Sequence, residues 1–171
     1  LNMKPYHPNN DLVSVGVDYQ MGSEWVSEYF FLCHDDLPAD YDVVAQRERL
    51  QAILDKSDVV VGHNLKHDMS WLRECGFTYE GSYWDTMIFE YIIARGVKAH
   101  SYSLAATAER REVSLKKEDL IKSFYDEGKT FKQIPMDIVE EYGRGDVTST
   151  REIYVQQYEE LYSTELNKAL V

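Results

Sequence analysis

The sequence predicts an α/β protein with a mixed sheet flanked by helices, and three observations point to it. Residues 12–19 alternate apolar with small or polar side chains, which is the period of a half-buried strand. Residues 58–62 form a short apolar run without a polar face, which is typical of a buried strand. Most of the remaining chain spaces its apolar residues as amphipathic helices do.

The individual elements follow in chain order. Residues 12–19 and 25–32 flank Met21-Gly22-Ser23 and are predicted to form an antiparallel hairpin. A helix over residues 42–54 leads into the strand at 58–62. Later helices are predicted over residues 64–75, 85–96, 103–110 and 115–125, and a long last helix runs from Pro135 to about Leu166.

Length and composition fit one compact domain over residues 1–171. The 171 residues are 44% hydrophobic and 13% aromatic, which argues against disorder, and no linker or repeat interrupts them. No apolar run approaches the roughly 20 residues of a membrane helix, and the first residues lack a signal-peptide pattern. We therefore expect a soluble, cytoplasmic protein without a membrane partner. Cys33 and Cys75 lack zinc spacing and are expected to be reduced thiols.

The net charge of -12 argues against a protein that coats DNA through lysine and arginine. It argues less strongly against a nuclease that grips a strand end, because metal ions supply positive charge there. Basic residues cluster only modestly, at Arg110-Arg111, Lys116-Lys117, Lys129 and Lys132. These clusters either meet a phosphate backbone or form ordinary solvated surface.

Two motifs pair a polar side chain with an aspartate four residues later: Asn64 with Asp68, and Tyr142 with Asp146. Four residues make one helical turn, so each pair lies together if its segment is helical. Two helices that aim carboxylates at one point can bind divalent metal ions, and a phenol beside them can steer an attacking water. This pattern predicts phosphodiester hydrolysis.

The positions of these motifs strengthen the hypothesis. Asn64 follows a buried strand directly, at the carboxyl edge of the sheet, where open α/β folds bind ligands. Gly143 and Gly145 each cost about 1 kcal/mol of helix propensity, so we expect a space or contact reason for them.

His63 and His67 offer an alternative, because they are also four residues apart as in a zinc site of the H-x-x-x-H type. Against it, position 64 is asparagine where a zinc protease helix has its glutamate base, and the sequence indicates no third ligand nearby.

Residues 62–68, GHNLKHD, resemble the second motif of the proofreading 3′-to-5′ exonuclease domain of family A DNA polymerases, within the DEDD exonuclease superfamily. Further matches follow in order: Asp85-Thr86-Met87, Ser103-Leu104 with Ala108-Glu109-Arg110, Phe131-Lys132-Gln133-Ile134, and Tyr142-x-x-x-Asp146 at the place of the tyrosine-type (DEDDy) third motif. The matches cover roughly residues 12–158. The resemblance implies a ribonuclease H-like (DnaQ-like exonuclease) fold with a mixed central sheet.

By the same resemblance, the chain is expected to remove mononucleotides from single-stranded DNA 3′ ends. It would act as the editing domain of a polymerase or as a separate polypeptide, with two Mg²⁺ or Mn²⁺ ions. Asp146 would bind the ion that carries the attacking water, Asp68 would hold the second ion mainly through water, and Tyr142 would orient the nucleophile. The terminal nucleotide would be held by three further side chains, Asn64, His63 and Lys66.

One part of the family pattern is missing. The family's opening strand carries an Asp-x-Glu that contributes two of four metal-binding carboxylates, and no Asp-x-Glu occurs in this sequence. We therefore expect the chain to be N-terminally incomplete, with the complete protein supplying that strand. The missing motif also supports an alternative, a catalytically inactive exonuclease-like module that binds a nucleic-acid end or a partner protein. A third possibility is an RNA-directed exonuclease of the same superfamily, although the Asp85 and Phe131 segments favour the polymerase branch.

Overall fold

The computed structural model describes residues 11–94, 101–114 and 119–163. Its elements, in chain order, are β1 (Ser14–Met21), β2 (Glu24–Phe31), α1 (Val43–Lys56), β3 (Val59–Gly62), α2 (Leu65–Glu74), β4 (Ser82–Asp85), α3 (Thr86–Ile93), α4 (Leu104–Arg110), α5 (Asp119–Asp126) and α6 (Met136–Ser163). The α/β class is confirmed. The predictions for the N-terminal segment, Gly96, Leu115, Lys116-Lys117 and Leu166 lie outside the described residues.

The predicted hairpin is present. β1 and β2 pair antiparallel, with Val15 opposite Phe30 and Met21 opposite Glu24. Gly22 takes a φ of +65° in the two-residue turn, a left-handed conformation that glycine adopts without steric cost. The alternating sequence therefore specified both strands and the turn between them.

The second sheet was predicted only in part. β3 pairs in parallel with β4, so that Gly62 lies opposite Asp85 at the carboxyl ends of both strands. Sequence analysis missed β4, because four residues are too few to show a period. It also expected β3 to be buried on both faces, whereas Val59 is 42% exposed.

The expected single mixed sheet is instead two separate two-stranded sheets within the described residues, one antiparallel and one parallel. No ladder joins β1 to β3 in this part of the chain, although both border the same core cluster through Val17 and Val60. The centre of that cluster comes from β2, α1 and α2, with Phe30, Leu50, Leu54, Met69 and Leu72 among its buried residues. A second cluster lies under the start of α6 and comprises Phe31, Ile121, Ile134 and Val139.

Helix α6 packs on both β1 and β3. A Cβ on Gly143 would lie 2.3 Å from the hydroxyl of Tyr29, so only glycine permits this approach of the helix to the hairpin. The Tyr29 hydroxyl donates to the Val139 carbonyl at 3.1 Å and fixes the contact. The expected space reason therefore holds at Gly143, but not at Gly145, where a Cβ would meet nothing within 4 Å.

An ion pair adds to this packing, because Arg151 of α6 lies 2.6 Å from Asp18 of β1. In the part of the chain that the structure describes, none of the helices has the length and apolar character needed to span a membrane.

Candidate functional site

The turn from β3 into α2 is tightly constrained. A Cβ on Gly62 would lie 2.6 Å from the Cδ1 atom of Leu65, so the strand end and the helix start are in close contact. Between them, Asn64 takes a φ of +62°, a left-handed conformation that asparagine tolerates better than most residues. Asn64 thus precedes the helix rather than lying within it, and Asp68 lies in its first turn.

Asp85 joins this turn to the neighbouring strand. Its carboxylate accepts hydrogen bonds from the backbone N–H groups of Asn64 at 3.1 Å and Leu65 at 2.9 Å. It also caps α3, accepting from the N–H groups of Met87 at 3.0 Å and Ile88 at 3.3 Å. Sequence analysis recognised Asp85 only as a helix start, because the link to α2 depends on the parallel pairing of β3 with the unpredicted β4.

Two of the predicted metal-binding carboxylates lie within electrostatic reach of each other. The Asp68 side chain is exposed, yet the surrounding protein desolvates its carboxyl and raises its pKa to about 6. The charge of His67 opposes this shift, whereas the charges of Asp85 and Asp146 add to it. Asp146 comes from α6, and its Oδ1 atom is buried. The fold therefore places one carboxylate of α2 and one of α6 within electrostatic reach of each other.

Such a pair suits a divalent cation, because carboxylate oxygens are preferred ligands of Mg²⁺ and a cation relieves the repulsion between like charges. The described residues nevertheless contain no group of three or more His, Cys, Asp or Glu side chains that could hold a metal ion. Asp85, the nearby third carboxylate, has both oxygens bonded to backbone N–H groups. These residues therefore fit part of a two-ion site.

Tyr142 lies on α6 one helical turn before Asp146, as the four-residue spacing predicted. Its side chain is half-buried and packs against the cluster under the start of α6. The ring meets Phe131 edge to face, with 6.3 Å between centroids. The helix and this packing fix the base of the Tyr142 side chain.

The two histidines are held by protein groups. The Nδ1 and Nε2 atoms of His63 lie 2.9 Å from the Thr86 hydroxyl and 2.7 Å from the Tyr102 carbonyl. The Nε2 atom of His67 accepts from the indole N–H of Trp71 at 3.2 Å. These bonds give the zinc alternative no support.

The other two side chains predicted to bind the nucleotide, those of Asn64 and Lys66, are exposed. Part of the basic surface is neutralised instead: Arg111 pairs with the buried Glu90, and Arg110 lies 3.6 Å from the same carboxylate.

A family model described as the 3′-5′ exonuclease of DNA polymerase A matches residues 17–161, which is most of the chain. The chain belongs to this 3′-5′ exonuclease family. The match spans both aspartate motifs and confirms the resemblance noted in the sequence. The family is one of nucleases, and the aspartates of the two motifs, Asp68 and Asp146, lie on helices α2 and α6.

Proposed function

We propose that this exonuclease domain removes mononucleotides from single-stranded DNA 3′ ends with the help of bound Mg²⁺ or Mn²⁺, as a proofreading activity beside a polymerase domain in the same or another chain. The observation that carries the proposal is that Asp68 and Asp146, which come from two helices distant in sequence, lie within electrostatic reach of each other. Two like charges brought together in a nuclease family are best explained by a cation between them.

In this mechanism Asp68 and Asp146 hold the divalent ions. Bound ions would lower the pKa of a water molecule and stabilise the leaving 3′ oxygen. Tyr142 then orients the attacking water by hydrogen bonding, because a phenol is a weak general base near neutral pH.

The terminal nucleotide lies against the start of α2. Asn64 and Lys66 are exposed there and offer an amide and a cation to the sugar and phosphate. His63 contributes by fixing the Tyr102 backbone beside this turn, since its ring nitrogens are bonded within the protein. Contacts of this kind tolerate any base.

We also propose that a further strand pairs between β1 and β3, completes a ribonuclease H-like sheet and supplies the Asp-x-Glu carboxylates. Strands β1 and β3 both pack on α6 and border one core cluster. Within the described residues no ladder joins β1 to β3, and an unpaired strand edge readily pairs with a further strand. The source would be a segment outside these 171 residues or another chain. Reading the coding sequence on either side of this region tests the first of these sources.

The alternative is an inactive module that binds a nucleic-acid end or a partner protein. One observation favours it: the described residues hold no group of three or more His, Cys, Asp or Glu side chains that could bind a metal ion. An assay of DNA cleavage separates the inactive module from the exonuclease.

The decisive experiment follows the shortening of a 5′-labelled single-stranded DNA from its 3′ end in Mg²⁺ or Mn²⁺, with an RNA of the same sequence in parallel. Asp146→Ala should lower the rate by about 100-fold or more, because each metal contributes several kcal/mol of charge stabilisation. Asp137→Ala is the matched control, since Asp137 is exposed in the first turn of the same helix.

The outcomes are distinct. Full activity in Asp146→Ala would remove Asp146 from the mechanism, and a faster rate on RNA would change the substrate class. A complete protein that binds the DNA end without cleaving it in either metal would be the inactive module.

A further inference from the structure

We propose that Asp85 is a positioning residue for the exonuclease reaction: it locks the turn between β3 and α2 in the conformation that aims Asn64 and Asp68. The inference rests on the proposed function, because it matters only if Asp68 acts in the site. Asp85 was not among the residues that sequence analysis placed there.

The carboxylate of Asp85 accepts hydrogen bonds from backbone N–H groups at the starts of two helices. Oδ1 accepts from the N–H groups of Asn64, Met87 and Ile88, and Oδ2 accepts from Leu65 at 2.9 Å. The first N–H groups of a helix have no partner within that helix. One side chain therefore satisfies the starts of α2 and α3 together.

This link opposes a local cost at Asn64. A left-handed conformation at a residue other than glycine is strained and persists only when the surroundings enforce it. Asn64 adopts it with a φ of +62°, and its own side chain makes no capping hydrogen bond to α2. Asp85 supplies the missing cap from the neighbouring strand, so the first turn of α2, with Asp68, depends on it.

The parallel pairing of β3 with β4 makes this possible, because it sets Gly62 directly opposite Asp85. The negative charge of Asp85 also reaches the Asp68 carboxyl and contributes to its raised pKa. Asp85 itself is a poor candidate for a metal ligand, because backbone N–H groups already occupy both of its oxygens.

Asp85→Ser separates the two tasks of this side chain. Serine is about as good an N-cap as aspartate, so α3 keeps its cap, but one hydroxyl cannot also reach the N–H groups of Asn64 and Leu65. Asp42→Ser is the matched control: Asp42 caps α1 through the N–H of Ala45 at 2.9 Å and makes the same kind of bond outside the site.

Three quantities are measured on the complete protein, with the strand that supplies the Asp-x-Glu: the rate on single-stranded DNA, the Mn²⁺ concentration that half-saturates binding, and hydrogen exchange at the Leu65 amide. Asp85→Ser should lower the rate about 10- to 100-fold and raise the Mn²⁺ midpoint, as loss of residues that orient metal ligands does. The Leu65 amide should exchange faster. Asp42→Ser should leave all three unchanged, because serine keeps the cap of α1 and Asp42 caps that helix outside the site.

A wild-type rate and Mn²⁺ midpoint in Asp85→Ser would overturn the inference while leaving the proposed function intact, provided that Asp146→Ala is inactive. Weakened Mn²⁺ binding with unchanged exchange at Leu65 would also overturn it, because Asp85 would then be a ligand. If the complete wild-type protein neither cleaves DNA nor binds Mn²⁺, the proposed function fails and the inference fails with it.

Discussion

Helices α2 and α3 begin at the ends of neighbouring parallel strands and share one capping carboxylate, yet they bury opposite kinds of side chain. The buried residues of α2 are apolar: Leu65, Met69 and Leu72. Those of α3 are polar, Thr86 and Glu90. The outer face of α3 carries the apolar residues instead, with Ile88, Tyr91 and Ile92 each about half exposed.

A network of hydrogen bonds replaces apolar packing beneath α3. The side-chain amide of Gln157, on α6, donates to the Thr86 carbonyl at 2.9 Å and to Glu90 at 3.1 Å. Its oxygen accepts from the indole N–H of Trp84 at 3.0 Å. Arg111, the C-cap residue of α4, completes the network by pairing with Glu90. The two helices are thus held by different forces, and they should respond differently to mutation.

The largest effect expected within α3 is at Glu90. Glu90→Ala leaves Arg111, which is 14% exposed, without its closest carboxylate and Gln157 without one acceptor. Removing one partner of a buried pair costs roughly 3–5 kcal/mol. We expect the free energy of unfolding to fall by about 3 kcal/mol, the lower end, because Glu160 remains 3.1 Å from Arg111. Urea unfolding curves measure it.

Glu109→Ala is the control, because Glu109 is an exposed carboxylate on α4 near the same arginines. A surface substitution of this kind changes stability by about 0.5 kcal/mol or less. Equal losses in the two variants would show that α3 does not depend on the buried network.

This difference also explains which parts of the fold could be predicted. The hairpin and α2 follow from apolar spacing, and Gly76, with a φ of +84°, lies just after the end of α2. At α3 the sequence revealed the helix but not its orientation, because Ile88 and Ile92 suggest a buried face that the structure places outside. The network beneath it joins residues 84, 90, 111 and 157, whose contacts no local pattern records.

The next effect depends on pH and concerns Asp68, whose pKa rises from its ordinary 3.8 to about 6 through desolvation and neighbouring carboxylates. The folded state binds this proton more tightly than the unfolded state, so the ionised carboxylate destabilises the fold. The contribution of Asp68 to stability should therefore fall as pH rises from about 4 through about 6. In EDTA, Asp68→Asn should melt at a higher temperature than wild type at pH 7.5 and at the same temperature below pH 4.

Asp40→Asn is a suitable control, because Asp40 is exposed in the segment before α1. It should follow wild type across the whole range. Mg²⁺ should remove the advantage of Asp68→Asn at pH 7.5, because a bound cation favours the ionised carboxylate in the wild type alone. An Asp68→Asn advantage that is equal at every pH would contradict the raised pKa.

For the candidate site, as for the fold, the sequence indicated local features but not the tertiary contacts. The sequence identified Asp68, Tyr142 and Asp146 from spacing and from family resemblance, and the structure brings the two aspartates within electrostatic reach. Spacing alone did not reveal the left-handed turn at Asn64 or the role of Asp85. Both depend on the pairing of two short parallel strands, which is a tertiary contact.

The smallest effect tests the outer face of α3. Ile92 is 51% exposed and Leu72 of α2 is 8% exposed, so the same change to alanine removes a similar side chain from opposite environments. Leu72→Ala should cost about 2–5 kcal/mol through lost burial and a cavity, whereas Ile92→Ala should change stability by about 0.5 kcal/mol or less. Thermal melts of both variants measure the difference. A loss above 1 kcal/mol in Ile92→Ala would mean that this face is covered in solution and that α3 is stabilised by apolar burial after all, which would remove the contrast with α2.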